Sequence, residues 1–315
     1  MIRRLAPLVL AASLLLSPSA ARAGTPDPST FPVGEAPAVT WQSGTAVHTA
    51  SGTTVNLPLG KAVARYEVLG KRGGQWIVVI PGYDAKVLAV KGTKVRTVWK
   101  HVYDEASTHY TVAEGGSLIA EVNYDRAGST EITVFDLKGK VVAQRGWPRS
   151  VSLLDFSGDT LLISTFKATQ TWAVGGKPVT VAPDALFGDL GGDLLFVNLP
   201  ADTAGPTSLS APGTPAWGSG IFIPQRLSPD GAYVAGLNFA HRKIKLEVRK
   251  VADGTVQPVP AFRAGFDTAL AWEPDGALLV MVKGSQGRTL VRCTVAGACE
   301  RATDWLAAGV VGFPG

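Results

Sequence analysis

Short apolar runs alternate with glycine-containing turns along most of the chain. Each turn holds Gly, usually with Asp or a second Gly, and leads into a short run rich in Val, Leu and Ile. Such runs are too short for helices, and Gly and Pro around them are the residues that interrupt regular structure. The pattern therefore predicts β-strands. The runs lie at residues 77–80, 119–122, 161–163, 195–197, 233–236 and 278–280.

The strand pattern repeats along the chain. With one glycine of each turn as a marker, successive copies are 42, 42, 34, 39 and 45 residues apart. A four-stranded blade of a β-propeller takes about 40–45 residues. A third apolar run, such as 131–135 or 245–249, and a further glycine hairpin give each unit room for four strands. The spacing therefore predicts a propeller. The marker glycines are Gly74, Gly116, Gly158, Gly192, Gly231 and Gly276.

The two ends of the repeat region complete one another. Residues 51–58 parallel residues 253–260, which form the hairpin between a third and a fourth strand. Residues 39–57 therefore supply strands two to four of a blade that lacks its first strand. Residues 308–313 are a spare strand with no blade of their own. Pairing this C-terminal strand with the N-terminal blade closes the ring and leaves no open sheet edge.

Six complete units and the shared one predict an all-β fold, a seven-bladed β-propeller over residues 39–315. The unit between Gly192 and Gly231 is irregular, which leaves a count of six or eight blades open. Within it, residues 200–215 are rich in Pro, Ser, Thr, Gly and Ala. This composition predicts a surface flap in front of Trp217.

Composition agrees with many strands and turns. Gly (36) and Pro (21) are frequent among the 315 residues, and both are poor helix formers. The chain is 46% hydrophobic and 17% charged, which excludes an intrinsically disordered protein. One stretch, residues 24–38, holds several prolines and no apolar period. It is predicted to be an extended, Pro-rich linker.

The first residues have the pattern of a secretory signal peptide. Arg3 and Arg4 precede the apolar stretch 5–16, and Ala-Arg-Ala at 21–23 fits a cleavage site. The apolar stretch has 12 residues, fewer than the roughly 20 that a transmembrane helix needs. We predict a signal peptide over residues 1–23, export to the periplasm or the exterior, and no transmembrane anchor after cleavage.

Removal of this leader changes the charge of the protein. The whole chain has a net charge of +5, but the leader contributes three arginines and no acid, so the remainder carries +2. Nucleic-acid binding needs a concentrated positive field. We therefore expect no nucleic-acid partner.

The only two cysteines, Cys293 and Cys299, are placed to form a disulfide. A three-residue loop over 295–297, with Gly297 in the left-handed conformation, would set Thr294 opposite Ala298 and the two cysteines opposite each other. That is the separation a disulfide requires, and an exported chain meets oxidants. The spacing does not fit C-x-x-C, and no His is near to complete a metal site.

Two repeats carry a motif of a known repeat family. Residues 227–235 read Leu-Ser-Pro-Asp-Gly-Ala-Tyr-Val-Ala, and residues 272–280 read Trp-Glu-Pro-Asp-Gly-Ala-Leu-Leu-Val. Both resemble the Ser-Pro-Asp-Gly strand–turn–strand motif of WD40-like repeats in TolB-type propellers, which are common in exported bacterial proteins. Because TolB is a periplasmic protein that binds partners, the resemblance implies binding rather than catalysis. It specifies the fold far better than the activity.

One connecting segment holds a candidate metal site. His101, Asp104, Glu105 and His109 lie close together in sequence, and imidazole and carboxylate ligands suit zinc or a similar divalent ion. Their spacing matches no established metal motif, and the remaining histidines fall in other blades. The alternative interpretation is a polar connecting loop without metal.

A second pattern sets cations beside aromatic residues in the predicted loops of one propeller face. Such a rim could hold an acidic partner or an anionic polymer, with Arg supplying bidentate hydrogen bonds and stacking. The alternative is a solvated rim whose aromatics pack between blades. The candidate binding residues are Tyr124, Arg126, Arg149, Lys167, Arg242, Lys243 and Arg263, and the accompanying aromatics are Trp147, Phe166, Phe262 and Phe266.

These patterns favour a non-catalytic binding protein over an enzyme. The chain has no G-x-S-x-G, no phosphate-binding Gly loop and no H-E-x-x-H motif. We expect a monomer that binds a protein or cell-envelope polymer through its loops and needs no cofactor. The alternative is a propeller hydrolase or lyase that acts on a carbohydrate or lactone with a divalent metal.

Overall fold

A computed structural model describes residues 25–60, 63, 65–82, 84–101, 107–199, 203–240, 244–265, 268–307 and 311–314. The predicted signal peptide lies outside these residues. Within them, the chain forms strands joined by turns and one 3-10 turn, Pro28–Thr30. No helix in the described part of the chain is long and apolar enough to cross a bilayer.

The strands form seven antiparallel sheets arranged as the blades of a propeller, as predicted. Blade 1 consists of β26 (Val311–Gly312), β1 (Trp41–Ser43), β2 (Ala46–His48) and β3 (Thr54–Asn56). Blade 2 consists of β4 (Glu67–Arg72), β5 (Gln75–Ile80), β6 (Lys86–Lys91) and β7 (Lys94–Lys100). Blade 3 consists of β8 (Ser107–Val112), β9 (Leu118–Tyr124), β10 (Thr130–Asp136) and β11 (Val141–Trp147).

The remaining blades follow in chain order. Blade 4 consists of β12 (Ser152–Ser157), β13 (Thr160–Ser164), β14 (Ala168–Ala173) and β15 (Val179–Pro183). Blade 5 consists of β16 (Ala185–Asp189), β17 (Leu194–Leu199) and β18 (Thr203–Ser208). Blade 6 consists of β19 (Phe222–Leu227), β20 (Tyr233–Asn238) and β21 (Lys245–Lys250). Blade 7 consists of β22 (Leu270–Trp272), β23 (Leu278–Gly284), β24 (Gly287–Cys293) and β25 (Cys299–Arg301).

The first strand of each blade is its inner strand and borders the central channel. Inner strands of neighbouring blades contact each other, as β4 does β8, and β16 does both β12 and β19. Ring closure follows the prediction, because β26 is the inner strand of blade 1 and pairs with β1. In this pairing Gln42 lies opposite Gly312, and Ser43 lies opposite Val311.

Local hydrogen bonds explain why the Ser-Pro-Asp-Gly sequence forms a tight hairpin. The Ser228 hydroxyl donates to Asp230 Oδ1 at 2.6 Å and accepts from the Tyr233 N–H at 2.9 Å. Asp230 Oδ1 also accepts from the Ala232 N–H, and these bonds lower the pKa of the Asp230 carboxyl. Gly231 has φ +70°, a conformation that costs a residue with a side chain about 1 kcal/mol or more. The motif is therefore structural.

The core lies between blades, where the apolar faces of neighbouring sheets meet. Ile132 and Val134 of blade 3 pack in one cluster with Leu161 and Trp172 of blade 4, and all four are nearly inaccessible to solvent. Burial of each such side chain contributes about 1.5–3 kcal/mol. Because each blade buries the apolar face of its neighbour, the stable unit is the whole ring rather than a single blade.

Blades 5 and 6 are the irregular ones, and the flap predicted at residues 200–215 is partly a strand. Residues 203–208 form β18, which pairs with β17 along its whole length. Ser219 then bridges Ala204 in place of a fourth strand. A side chain at Gly205 would collide with the Trp217 carbonyl, so the small residues that suggested a loop are needed for close packing.

Residues 25–38 pack against the propeller, whereas a free linker would extend away from it. They lie against blade 7, where Val33 forms a bridge with Arg301. They also contact the segment between blades 6 and 7, where the Phe262 ring lies 6.0 Å from that of Phe31 between centroids. The Asp27 carboxylate accepts from the Ser285 N–H at 3.1 Å. The prolines therefore mark an extended strap along blade 7, which we call the N-terminal strap, rather than a spacer.

Replacement of Asp27 by Ala is expected to destabilise the protein at neutral pH and to have no effect in strong acid. Hydrogen bonds from the backbone and side chains of Ser29 and Ser285, of which the Ser29 N–H contributes most, lower the pKa of Asp27 from 3.8 to about 2. A carboxyl whose folded-state pKa is depressed stabilises the protein above its unfolded-state pKa, and this contribution is lost as the pH falls towards about 2. Melting temperatures (Tm) of both proteins across this range give the test. The exposed Asp304→Ala variant is the control, and a constant Asp27→Ala difference down to about pH 2 would contradict the assignment.

The structure contains the predicted disulfide between Cys293 and Cys299. The two residues are direct partners across β24 and β25. The Thr294 N–H donates to the Ala298 carbonyl at 2.9 Å, and Gly297 has φ +90°, as the predicted loop requires. The bond ties the outermost hairpin of blade 7 together beside the N-terminal strap.

Candidate functional site

The connections of a propeller blade emerge on two opposite faces of the ring. Because strands alternate in direction, the links from second to third strand and from fourth strand to the next blade share one face, which we call the loop face. First-to-second and third-to-fourth turns lie on the other, which we call the hairpin face. Loops on a rigid ring tolerate variation, and functional residues concentrate there.

Four of the predicted cations lie in described segments of the loop face and are exposed. Two of them come from blade 3, since Arg126 follows β9 and Arg149 follows β11, whereas Lys167 lies between β13 and β14 of blade 4. Arg263 lies between β21 and β22. Among the described residues, no ion pair neutralises Arg149, Lys167 or Arg263. Arg242 and Lys243 lie outside the described residues.

Phe166 is the most unusual residue on this face. Its side chain is 60% exposed, and its backbone is left-handed with φ +58°. For a bulky residue this conformation is strained, by about 1–3 kcal/mol, and it persists only where the surroundings enforce it. Strain of this kind concentrates at binding sites. The loop therefore presents Phe166 to solvent at an energetic cost, and the next residue in sequence, Lys167, is also exposed.

A hydrogen-bond network holds the Phe166 loop in place. Thr165 and Ala168 close it through backbone and hydroxyl bonds of 2.9–3.1 Å. The Ser164 hydroxyl donates to Asp184 Oδ1 at 2.5 Å, and Asn198 Nδ2 donates to Asp184 Oδ2 at 2.6 Å. The network joins blades 4 and 5 and holds both ends of the loop by hydrogen bonds.

The other predicted aromatic residues that the structure describes pack in the core or against it. Trp147 packs edge-to-face on Trp172 with 5.6 Å between ring centroids, and Phe262 is fully buried. Tyr124 is partly buried against His109, and burial raises the pKa of its hydroxyl. Phe266 lies outside the described residues. Packing between blades, the alternative left open by the sequence, thus applies to these described aromatics but not to Phe166.

His101 of the candidate metal site takes part in a buried network around Glu121. The Glu121 side chain is 1% exposed and accepts from the Tyr110 hydroxyl at 2.6 Å and from Trp99 Nε1 at 3.1 Å. His101 Nδ1 lies 3.1 Å from the same carboxylate. The network joins blades 2 and 3, and it gives His101 a structural partner.

His109 lies in β8, where it is next to Tyr110 but packs differently. Its ring contacts Tyr124 edge-to-face at 5.9 Å, whereas Tyr110 faces Glu121. Within the described residues, no group of three or more His, Cys, Asp or Glu side chains could hold a metal ion. Asp104 and Glu105 lie outside the described residues, so the metal site stays a prediction.

A cavity of about 350 Å³ opens in the central channel where four inner strands meet. Glu67 of blade 2 lines one wall, Gln225 and Arg226 of blade 6 line another, and Thr268 precedes blade 7. Phe313 follows β26 and adds an apolar wall. Burial raises the pKa of the Glu67 carboxyl, although the positive charges of His109 and Arg65 oppose the shift. We call this cavity the channel pocket.

The residues predicted from the sequence did not include Glu67 or Glu121, and the unusual backbone of Phe166 was not predicted. Glu121 had a signal that could have been noticed, because it is the one charged residue inside an otherwise apolar strand, Leu-Ile-Ala-Glu-Val. Glu67 opens a strand and has no distinguishing neighbour in sequence. The left-handed conformation of Phe166 has no sequence signal, since such positions usually hold Gly or Asn.

No protein-family model and no curated protein matches the chain. Solved structures do match. TolB from Acinetobacter baumannii is 9% identical with a TM-score of 0.50, over 87% of this chain and 65% of that one. Pyrococcus horikoshii acylaminoacyl peptidase is 12% identical with a TM-score of 0.55, over 82% of this chain and 48% of that one. This chain thus spans about half of the peptidase.

The β-propeller domain of the Trilobed protease from Pyrococcus furiosus is a third similar structure. It is 10% identical with a TM-score of 0.50, over 84% of this chain and 90% of that one, and it is described as having an open velcro topology. Here, by contrast, β26 pairs with β1. At these identities the likeness establishes the propeller fold alone.

Proposed function

We propose that the protein is an exported, non-catalytic propeller that binds an acidic partner, a protein or an anionic cell-envelope polymer, through its loop face. The observation that carries the proposal is Phe166, an exposed residue held in a strained conformation by a hydrogen-bonded loop, with Lys167 next to it in sequence. Aromatic and Arg side chains dominate the binding energy of protein interfaces.

Charge and shape on the loop face support this proposal. Leu186 and Ile221 are 44% and 45% exposed, and they lie at the start of the inner strands of blades 5 and 6. With Phe166 of blade 4 they give three consecutive blades an apolar group on this face. The exposed cations Arg149 and Arg263 flank these blades in sequence. An acidic partner with apolar side chains would complement both features.

The disulfide, the leader pattern and the similarity to TolB support export. Disulfides form and persist in oxidising compartments such as the periplasm. The TolB resemblance supports binding by analogy of fold.

Charge reversal on the loop face is expected to weaken partner capture strongly. An Arg149→Glu/Lys167→Glu variant replaces attraction by repulsion at two exposed positions and should lower capture at least about tenfold. The measurement is a crosslinking pull-down from envelope and culture fractions, with the partner quantified by mass spectrometry. Phe166→Ala should lower capture without changing the charge.

The matched control reverses two charges on the hairpin face. Lys138 and Lys140 are exposed in the turn between β10 and β11, so Lys138→Glu/Lys140→Glu makes the same change in net charge. Capture by this variant should equal that of the unmodified protein. Equal capture by the loop-face variant, or failure of the unmodified protein to capture any partner, would contradict the proposal.

A further inference from the structure

The channel pocket is separate from the loop-face cations and has its own chemistry. Its walls come from the inner strands of blades 6, 7, 1 and 2, four consecutive blades of the ring. At about 350 Å³ it falls within the range of small-molecule sites, roughly 300–1,000 Å³. Its lining combines one acid, one base and two neutral polar side chains, so it suits a polar ligand.

Glu67 supplies the negative wall. Its carboxylate has no hydrogen-bond or ion-pair partner among the described residues, although nearby protein atoms remove part of its hydration. Burial raises the pKa of this carboxyl, and His109 and Arg65 are the positive groups that act against the shift. A carboxylate in this position gains from any ammonium group that reaches it.

A β-bulge supplies the positive wall. In the pairing of β19 with β20, Pro224 lies opposite Gly236 and Arg226 lies opposite Ala235. Gln225 therefore has no residue opposite it on β20. Bulges re-aim side chains, and here both Gln225 and Arg226 line the cavity. Trp272 Nε1 donates to the Arg226 carbonyl at 3.2 Å, which fixes the backbone at this point.

The two charged walls do not neutralise each other. Glu67 belongs to blade 2 and Arg226 to blade 6, the two ends of the four-blade arc, and among the ion pairs of the described residues none joins them. Thr268, which precedes β22, and Phe313, which follows β26, also line the cavity. The space thus offers a carboxylate to a cation, a guanidinium to an anion, and an apolar surface at Phe313.

We propose that the channel pocket binds a free α-amino acid, with the ligand ammonium at Glu67, the ligand carboxylate at Arg226 and an apolar side chain against Phe313. A guanidinium recognises a carboxylate with two parallel hydrogen bonds, which makes Arg226 the group that orients the ligand. This site does not depend on the loop-face interaction, because none of its residues belongs to the proposed binding surface.

Thermal stabilisation of the full chain by L-leucine tests the site. At about 10 mM, L-leucine should raise the Tm by about 3 °C or more. Leucine methyl ester keeps only the ammonium and N-acetyl-leucine keeps only the carboxylate. Each should bind at least about tenfold more weakly by isothermal titration calorimetry, since each lacks one of the two ionic contacts.

Variants locate the effect in the pocket. Glu67→Gln and Arg226→Gln should each lower leucine affinity at least about tenfold, while Lys94→Gln, on the exposed outer strand of blade 2, should leave it unchanged. Circular-dichroism melts without ligand show that each variant is folded. The proposal is overturned if no L-amino acid raises the Tm, if ester and zwitterion bind equally, or if both pocket variants bind leucine normally. Partner capture by the pocket variants should be unchanged, which keeps the two tests independent.

Discussion

Deletion of residues 308–315 is expected to lower the Tm by about 6–12 °C. The deletion removes β26, so β1 loses its inner neighbour and blade 1 loses its contact with the channel. Val311 and Phe313 pack in a cluster with Trp41, and their loss together with the strand hydrogen bonds costs about 3 kcal/mol. For a chain of this size, each kcal/mol corresponds to about 2–4 °C. Differential scanning calorimetry gives the measurement.

A shorter deletion is the control. Removal of residues 314–315 keeps β26 and should change the Tm by less than about 2 °C. A crosslink offers the reverse test, because Ser43 and Val311 are direct partners. Ser43→Cys/Val311→Cys should form a disulfide that raises the Tm. An unchanged Tm after the longer deletion would show that the ring does not depend on this closure.

Replacement of Arg292 by Ala is expected to cost about 3–5 kcal/mol. Glu273 has a side chain 1% exposed, and Arg292 holds it through two contacts, of which Nη2 to Oε1 is 2.9 Å. Arg292 also donates to Glu300 at 2.7 Å and to the carbonyls of Glu35 and Ala36 in the N-terminal strap. These carboxylates raise the pKa of the guanidinium. Without Arg292, a buried carboxylate has no counter-charge, and urea denaturation will register the loss.

A double variant separates the buried charge from simple loss of packing. Glu273→Gln/Arg292→Met removes both charges and should recover at least half of the stability that Arg292→Ala loses. Equal loss in both variants would show that strap contacts, rather than the uncompensated carboxylate, dominate the effect. Limited proteolysis of residues 25–38 gives a second readout, because Arg292 binds the strap directly.

Features that depend on local chain geometry could be predicted from the sequence. Gly231 and Gly297 adopt positive φ where the turn requires it, and the Cys293–Cys299 register follows from the length of its loop. Ring closure was also predictable, because residues 39–57 contain one strand too few and the C-terminal residues one too many. Repetition made each of these signals stronger, since a blade can be compared with the others in the same chain.

Features that depend on contacts between blades could not be predicted. The strap over residues 25–38 has a loop-like composition, and it is ordered by Arg292, which is more than 250 positions away in sequence. The β18 strand was not predicted because Gly205 and Pro206 are poor strand formers. Its pairing with β17 outweighs that unfavourable propensity. Glu67 and Arg226 approach one cavity only because the ring brings blades 2 and 6 around the same channel.

Pairing of β1 with β26 also has a consequence for how the protein folds. Gln42 and Gly312 are separated by almost the whole propeller sequence, so their contact has a very high sequence separation and a large loop-closure entropy. Folding rates fall as contact order rises, and blade 1 cannot be completed until β26 has left the ribosome. During that interval the edge of β1 is open to pairing with another chain. Nascent chains are therefore most prone to aggregate before β26 has been synthesised, and slow refolding that is limited by ring closure is expected in vitro.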